Sequence, residues 1–155
     1  STSSYRSIRR SYLDYLENEN VDVYRGGGQR DEVVSLEEYA SVLKRSKMSI
    51  NFSFSVHDQS QLKVRVFEIL YCGALMLESK NEETCKYFIP GVDYVEYESK
   101  EDLLEKIKYY SVHEDERERI ASNGHQKAIS KYSHNQFWEK ITSRMAENNL
   151  FVNHD

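Results

Sequence analysis

Residues 61–73, QLKVRVFEILYCG, decide the fold that we expect for this chain. An alternating apolar run at 48–54 precedes this stretch, and a second apolar run at 74–78 follows it. This order predicts a strand, a helix and a second strand. One side of the helix would lie on a sheet, and the glycine at its end permits the left-handed conformation that ends many helices. The residues on this side are Leu62, Val66, Ile69, Leu70 and Gly73.

Two cations lie at the start of this helix, where the helix dipole is positive and acidic residues are the usual choice. Lys63 and Arg65 fit there if an anion such as a phosphate binds the unpaired backbone N–H groups. They fit equally well on a solvated surface, with Arg65 pairing with Glu68 at i,i+3 spacing. The charge pattern alone leaves both interpretations open.

Strands and helices alternate along the rest of the chain, with predicted strands at 21–24, 48–54, 74–78 and 93–97. Ser35 and Ser99 are predicted N-caps of two helices, and a short helix is predicted to start at 79–82 and to end near Phe88. The charged residues 115–131 predict another helix, and Ser133 caps a last one. Short connections between alternating elements give βαβ units, and hence a mostly parallel sheet with helices on both faces.

Three features follow predicted strands and therefore lie at one edge of the sheet, where open parallel sheets bind ligands. They are the glycine triplet 26–28, the loop 53–60 and the N-terminus of helix 62–72. The triplet around Gly27 forms either a plain turn or a close approach of backbone to a ligand. His57, in the second loop, is a candidate ligand contact, whereas the other histidines lack metal-ligand spacing. The convergence of the three features at one edge favours the anion site.

The composition excludes several classes of function. The formal net charge is −5, and the basic cluster Arg6, Arg9 and Arg10 is too small to suggest broad nucleic-acid binding. The two cysteines, Cys72 and Cys85, give neither a metal-ligand spacing nor a disulfide framework, which predicts a reducing, cytoplasmic setting. No stretch approaches the ~18 apolar residues of a membrane span, although a peripheral membrane contact stays open.

Residues 63–68, KVRVFE, and 72–78, CGALMLE, resemble the C-terminal, donor-binding domain of GT-B-fold glycosyltransferases. The resemblance is to glycosyl transferases group 1, in the branch related to spore-maturation-protein-like enzymes. It extends, in order and spacing, through segments 46–53, 88–95, 116–124 and 132–133. It implies an α/β, Rossmann-like three-layer domain with a mostly parallel sheet of about four or five strands and a helical C-terminus.

The resemblance implies that the chain binds a nucleoside-diphosphate sugar donor for glycosyl transfer to an unknown acceptor. Glu68 is expected to bind the ribose hydroxyls, and Lys63 and Arg65 are expected to hold the diphosphate together with helix N–H groups. Ser53 and Gly27 complete the expected donor site. The cations would replace the metal ions that neutralise charge in other phosphoryl chemistry, so neither a metal nor a cofactor is expected.

In that family two Rossmann-like domains face each other, and this chain resembles one of them. Residues 1–147 are expected to form a single nucleotide-sugar-binding domain and 148–155 a frayed tail. The N-terminal acceptor-binding domain is missing, so the chain alone is expected to be inactive. Many retaining members carry a glutamate where this chain has Ser60, so the catalytic residues and the stereochemistry stay unassigned.

Two other functions compete with a transferase domain. One is a non-catalytic α/β module that binds a nucleotide or a protein, such as a degenerate transferase domain. The other is a receiver-like signalling domain, which is disfavoured because no cluster of aspartates follows the predicted strands.

Overall fold

The computed structural model describes residues 2–25, 35–53 and 62–132. Six helices and three strands lie within these ranges. In chain order they are α1 (Thr2–Asn18), α2 (Leu36–Arg45), β1 (Met48–Asn51), α3 (Val64–Cys72), β2 (Leu75–Ser79), α4 (Glu82–Cys85), β3 (Val95–Tyr97), α5 (Lys100–Val112) and α6 (Glu114–Lys131).

The three described strands form one parallel sheet in the order β1–β2–β3. Met48 of β1 lies opposite Leu75 of β2, and Leu77 of β2 lies opposite Val95 of β3. Parallel neighbours need a crossover connection, which α3 supplies between β1 and β2 and α4 supplies between β2 and β3. The predicted α/β class with a parallel sheet is therefore confirmed.

Helices cover both faces of the sheet because successive side chains of a strand point to opposite faces. Leu75 and Leu77 of β2 pack with residues of α1 and α5, whereas Met76 packs with residues of α2 and α3. All of β2 is buried, as expected for the central strand of a three-layer domain. The residues that α3 buries are those that the helical wheel predicts: Val66, Ile69 and Leu70.

The predicted ends of three helices are confirmed by their capping geometry. Ser35 Oγ accepts a hydrogen bond from Glu38 N at 3.1 Å, and Ser99 Oγ accepts one from Asp102 N at 3.1 Å. Gly73 ends α3 in the left-handed conformation, with φ of 79°. Serine caps and a glycine C-cap can be read from the sequence because each satisfies local backbone groups.

Several predicted boundaries are wrong by a few residues. The short helix α4 begins after Asn81 rather than at Ser79, and it ends at Cys85 rather than near Phe88. Ser79 is still paired in β2, and its Oγ accepts a hydrogen bond from Ser53 N at 2.8 Å, so it is not available as a cap. The third strand begins at residue 95 rather than 93.

The strand predicted at 21–24 is wrong, because these residues form no ladder with the described strands. The segment instead lies on α1, where Arg25 contacts Asp14 at 2.7 Å and Glu17 at 2.6 Å. Val21 and Val23 pack against the core on one side, which produces the apolar alternation. This segment and β1 also line one cavity of about 840 Å³.

Gly124 allows α6 to pack closely against the turn that precedes β3. A Cβ atom at this position would lie 2.2 Å from the Asp93 carbonyl oxygen and 2.8 Å from Leu70 Cδ2. The same turn is held by Lys127, whose Nζ is 2.6 Å from the buried Asp93 carboxylate. Segment 116–124 therefore matters to the fold through a close backbone contact.

Several predicted features lie outside the described residues: Gly27, His57, Ser60, the last helix from Ser133 and the tail 148–155. Within the described residues, Cys72 and Cys85 are free thiols. No helix in the described ranges combines the length and the apolar composition that a bilayer span requires.

Candidate functional site

The carboxyl end of β1 meets the N-terminus of α3, and this junction brings together two of the predicted site residues. Phe52 and Ser53 follow β1 directly and are buried. Lys63 is the N-cap residue of α3, and its Nζ donates a hydrogen bond to the Phe52 carbonyl at 2.5 Å. Ser53 and the Lys63 ammonium group are therefore neighbours at the edge of the sheet where ligands are expected.

The N-terminus of α3 differs in charge from the N-termini of four other described helices. Its N-cap residue, Lys63, makes no capping hydrogen bond with its side chain, and its first turn contains no acidic residue. By contrast, the first turns of α2, α4, α5 and α6 each carry two or three acidic side chains. Lys63 and Arg65 add positive charge to the positive end of the helix dipole. An anion is the ligand that this arrangement favours.

Arg65 and Glu68 meet at the ring of Tyr39, which projects from α2. The Tyr39 hydroxyl donates to Glu68 Oε2 at 2.9 Å, and the Arg65 guanidinium carbon lies 5.5 Å from the ring centroid. Burial, followed by the hydrogen bond to Glu68, raises the pKa of Tyr39 to about 12. Among the described ion pairs there is none between Arg65 and Glu68, so Tyr39 takes the place of the simple i,i+3 pair.

A row of buried polar groups lies at the carboxyl ends of β1 and β2. Glu78 is completely buried, and its Oε2 accepts a hydrogen bond from Asn51 Nδ2 at 2.6 Å. Tyr97 of β3 donates to the Asn51 carbonyl at 2.8 Å. These contacts fix the Glu78 carboxyl group on the sheet face that α3 covers, since Glu78 is two residues from Met76.

Two buried side-chain oxygens have no hydrogen-bond partner among the described residues, and they are Ser53 Oγ and Glu78 Oε1. Burial raises the pKa of Glu78 to about 7, against the opposing effects of the nearby Ser53 hydroxyl, of Asn51 and of Lys63. The Ser53 hydroxyl is near enough to have this effect although its geometry is not that of a hydrogen bond. The site therefore contains a carboxyl group that changes protonation near neutral pH.

Sequence reasoning missed three residues that the structure places here: Tyr39, Asn51 and Glu78. Tyr39 has, in the sequence, only the pattern of a packing residue on its helix. Glu78 carried a usable signal, because it continues a fully apolar strand run and glutamate is rarely buried unless it is partnered. Asn51 carried a weaker signal as the last polar residue of the alternating strand.

Comparison with known families adds to this geometry. The sequence profile of a family described as glycosyl transferase-like matches residues 9–143, which is most of the chain. The chain belongs to the glycosyl transferase-like family. All the described site residues lie inside the matched range. Among curated protein sequences, none matches this chain significantly.

Solved structures similar to this glycosyl transferase-like chain include three from different bacteria. HepE from Anabaena, in complex with UDP-glucose, has a TM-score of 0.61 at 14% identity, over 68% of this chain and 29% of HepE. The C-terminal domain of the glycosyl transferase group 1 family protein LpcC from Francisella tularensis has a TM-score of 0.62 at 12% identity, over 83% and 64%. A glycosyltransferase from Rickettsia africae has a TM-score of 0.61 at 14% identity, over 95% and 38%.

These similarities confirm the fold of the glycosyl transferase-like chain, which is that of the C-terminal Rossmann-like domain of GT-B glycosyltransferases. The chain spans less than two thirds of the length of each of the three similar structures. Within this fold the α3 N-terminus presents backbone N–H groups and two cations. Next to it, the Glu68 carboxylate retains acceptor capacity beyond its single bond from Tyr39. The arrangement can bind an anion together with a neighbouring hydroxyl group.

Proposed function

We propose that this chain binds a nucleoside-diphosphate sugar, from which a glycosyl group is transferred to an acceptor. One observation above all supports this function: among the described residues no side chain caps the N-terminus of α3, whose first turn lacks acidic residues and which carries Lys63 and Arg65. Membership of the glycosyl transferase-like family supports the reaction class. HepE, which shares the fold, has been crystallised with UDP-glucose and with UDP, so these compounds are suitable first ligands.

In the proposed complex each site residue has a role that follows from its charge and place. The donor diphosphate binds the N–H groups of α3, Lys63 and Arg65, which together neutralise its charge. Glu68, held by Tyr39, accepts hydrogen bonds from the ribose hydroxyls. Ser53 and Gly27 are further donor contacts. Since these cations do the work of a metal ion, donor binding should be insensitive to EDTA.

Transfer of the sugar also requires a site for the acceptor. We propose that a second, N-terminal domain supplies that site and that this chain alone binds donor without turning it over. The chain spans 29% of HepE and 38% of the glycosyltransferase from Rickettsia africae, which supports this division. We further propose that the protein works in the cytoplasm, in keeping with its free thiols.

One observation favours a second candidate function. Glu68 already has a structural partner in Tyr39, so its carboxylate has a reason to be present without any ribose. The second candidate function is therefore that of a degenerate, non-catalytic module that binds a nucleotide or a protein. An assay of sugar transfer by the full-length protein separates the two, because a degenerate domain binds without turnover.

Removal of either cation should weaken UDP binding. Each of Lys63→Ala and Arg65→Ala is expected to lower UDP affinity about 3- to 10-fold, because each removes one partly screened charge from the diphosphate. The matched control is Lys108→Ala on α5, which belongs to the opposite helix layer and should leave affinity unchanged. Calorimetric titration at low and high salt measures both effects, and salt should weaken the wild type more than either α3 variant.

Equal losses in Lys63→Ala, Arg65→Ala and Lys108→Ala would show a nonspecific dependence on net charge. Unchanged affinity in both α3 variants, with measurable wild-type binding, would place the diphosphate elsewhere.

A further inference from the structure

Glu78 is a buried acid to which the proposed binding roles give no task. Its side chain is completely inaccessible to solvent, and one of its oxygens, Oε1, has no partner among the described residues. A buried carboxylate with an unsatisfied oxygen is costly, whereas a protonated carboxyl gains a hydrogen to donate. The Ser53 hydroxyl is the other buried side-chain oxygen without a partner among the described residues. Protonation therefore removes a buried charge and adds a hydrogen-bond donor at this position.

The charged and titratable groups that face Glu78 come from several elements. Lys63, at the start of α3, attracts the Glu78 carboxylate. Glu96, which lies opposite Glu78 in the pairing of β2 with β3, repels it. Glu96 in turn accepts hydrogen bonds from Tyr94 at 3.0 Å and from the Cys85 thiol of α4 at 3.3 Å. Among the described residues, Lys63 is the cation whose attraction favours the ionised form.

Lys63 is also the cation that the proposed donor site offers to a diphosphate. Its Nζ lies against the Phe52 carbonyl, between the end of β1 and the first turn of α3. A diphosphate bound at α3 brings negative charge close to Glu78 and draws on the attraction of the same ammonium group. Both effects disfavour the carboxylate.

We propose that donor binding is coupled to the uptake of one proton from solvent by Glu78, because the diphosphate and the Glu78 carboxylate compete for Lys63. This coupling rests on the proposed function and deepens it. Glu78 is then a positioning residue. When it is ionised, it attracts the Lys63 ammonium group, and when it is protonated, that group is available to the diphosphate. Since the pKa of Glu78 already lies near 7, donor binding needs only a small further rise to protonate it near neutral pH.

The test is a titration with UDP-glucose, whose diphosphate diester does not itself titrate near neutral pH. At pH 7.5, where about three quarters of Glu78 is ionised in the free protein, calorimetry in two buffers of different ionisation enthalpy should report uptake of about 0.5–0.75 proton for each UDP-glucose bound. Affinity should be about 10-fold weaker at pH 8.5 than at pH 6.5, since proton-linked binding weakens by up to tenfold for each pH unit. Glu78→Gln, which imitates the protonated acid, should abolish the uptake and the pH dependence.

The matched control is Glu96→Gln, which removes the other carboxylate on this face and should keep proton uptake. If Glu78→Gln fails to fold, carboxyl carbon NMR of the wild type replaces it. One glutamate should titrate near neutral pH in the free protein and at higher pH with UDP-glucose bound.

The outcomes separate this inference from the proposed function. Binding of UDP-glucose without proton uptake, or uptake that persists in Glu78→Gln, overturns the coupling and leaves donor binding intact. Absence of UDP-glucose binding at every pH overturns the proposed function, and the coupling with it.

Discussion

The Glu78→Gln variant is expected to be more stable than the wild type by about 3 kcal/mol at pH 8 and nearly equal to it at pH 4. The ordinary pKa of this carboxyl, 4.5, applies to the unfolded chain, and burial raises the pKa to about 7 in the folded protein. Between these values the folded state binds more protons at Glu78 than the unfolded state, so the contribution of Glu78 to wild-type stability is greatest below pH 4.5 and falls until the pH has passed 7. Glutamine carries no charge at any pH and avoids this loss.

Chemical denaturation of both proteins between pH 4 and pH 8 measures the difference in unfolding free energy. Glu105→Gln, at an exposed position on α5, is the control, and its difference from the wild type should not change with pH. A constant difference between Glu78→Gln and the wild type across this range would show that Glu78 is not a buried acid with a raised pKa.

The Glu68→Ala variant is expected to lose about 10- to 100-fold in UDP affinity. A hydrogen bond to a charged group contributes roughly 1.5–3 kcal/mol, and about 1.4 kcal/mol corresponds to a factor of ten. Removing the carboxylate takes away the acceptor proposed for the ribose hydroxyls. Calorimetric titration with UDP measures the loss.

Tyr39→Phe separates ribose binding from a purely structural role of Glu68. Both variants lose the Tyr39–Glu68 hydrogen bond, which is also a bond to a charged group, and so both should lose about 1.5–3 kcal/mol of stability. Only Glu68→Ala loses the carboxylate, so the 10- to 100-fold effect on UDP should be confined to it. Equal, small effects on UDP affinity would mean that Glu68 serves Tyr39 alone.

Local patterns predicted the parts of the fold that depend on local physics. The helix within residues 61–73 is predictable from its apolar face and from Gly73. The caps at Ser35 and Ser99 are predictable because each serine side chain accepts a hydrogen bond from the backbone N–H three residues later. The prediction of a strand at 21–24 was wrong because apolar alternation indicates which side of a segment is buried. It does not indicate whether the backbone of that segment pairs with another strand. Here that segment contacts α1 and packs against the core instead of pairing with a described strand.

The candidate site was predictable where charge and position along the chain sufficed. Lys63, Arg65 and the end of β1 could be placed together because parallel strands bring their carboxyl ends to one edge of the sheet. The Tyr39–Glu68 contact joins residues 29 apart in sequence, and it depends on how α2 packs against α3. The burial of Glu78 depends on α3 covering its face of the sheet, which a strand pattern does not contain.

Binding of a nucleoside diphosphate at the N-terminus of α3 is tested most directly by NMR titration of the ¹⁵N-labelled chain with UDP. Saturable shifts should be largest at the backbone N–H groups of Val64 and Arg65 and at Ser53, and the amides of α5 should stay in place. Saturable shifts confined to other parts of the molecule, with the α3 N-terminus unchanged, would contradict the proposed donor site.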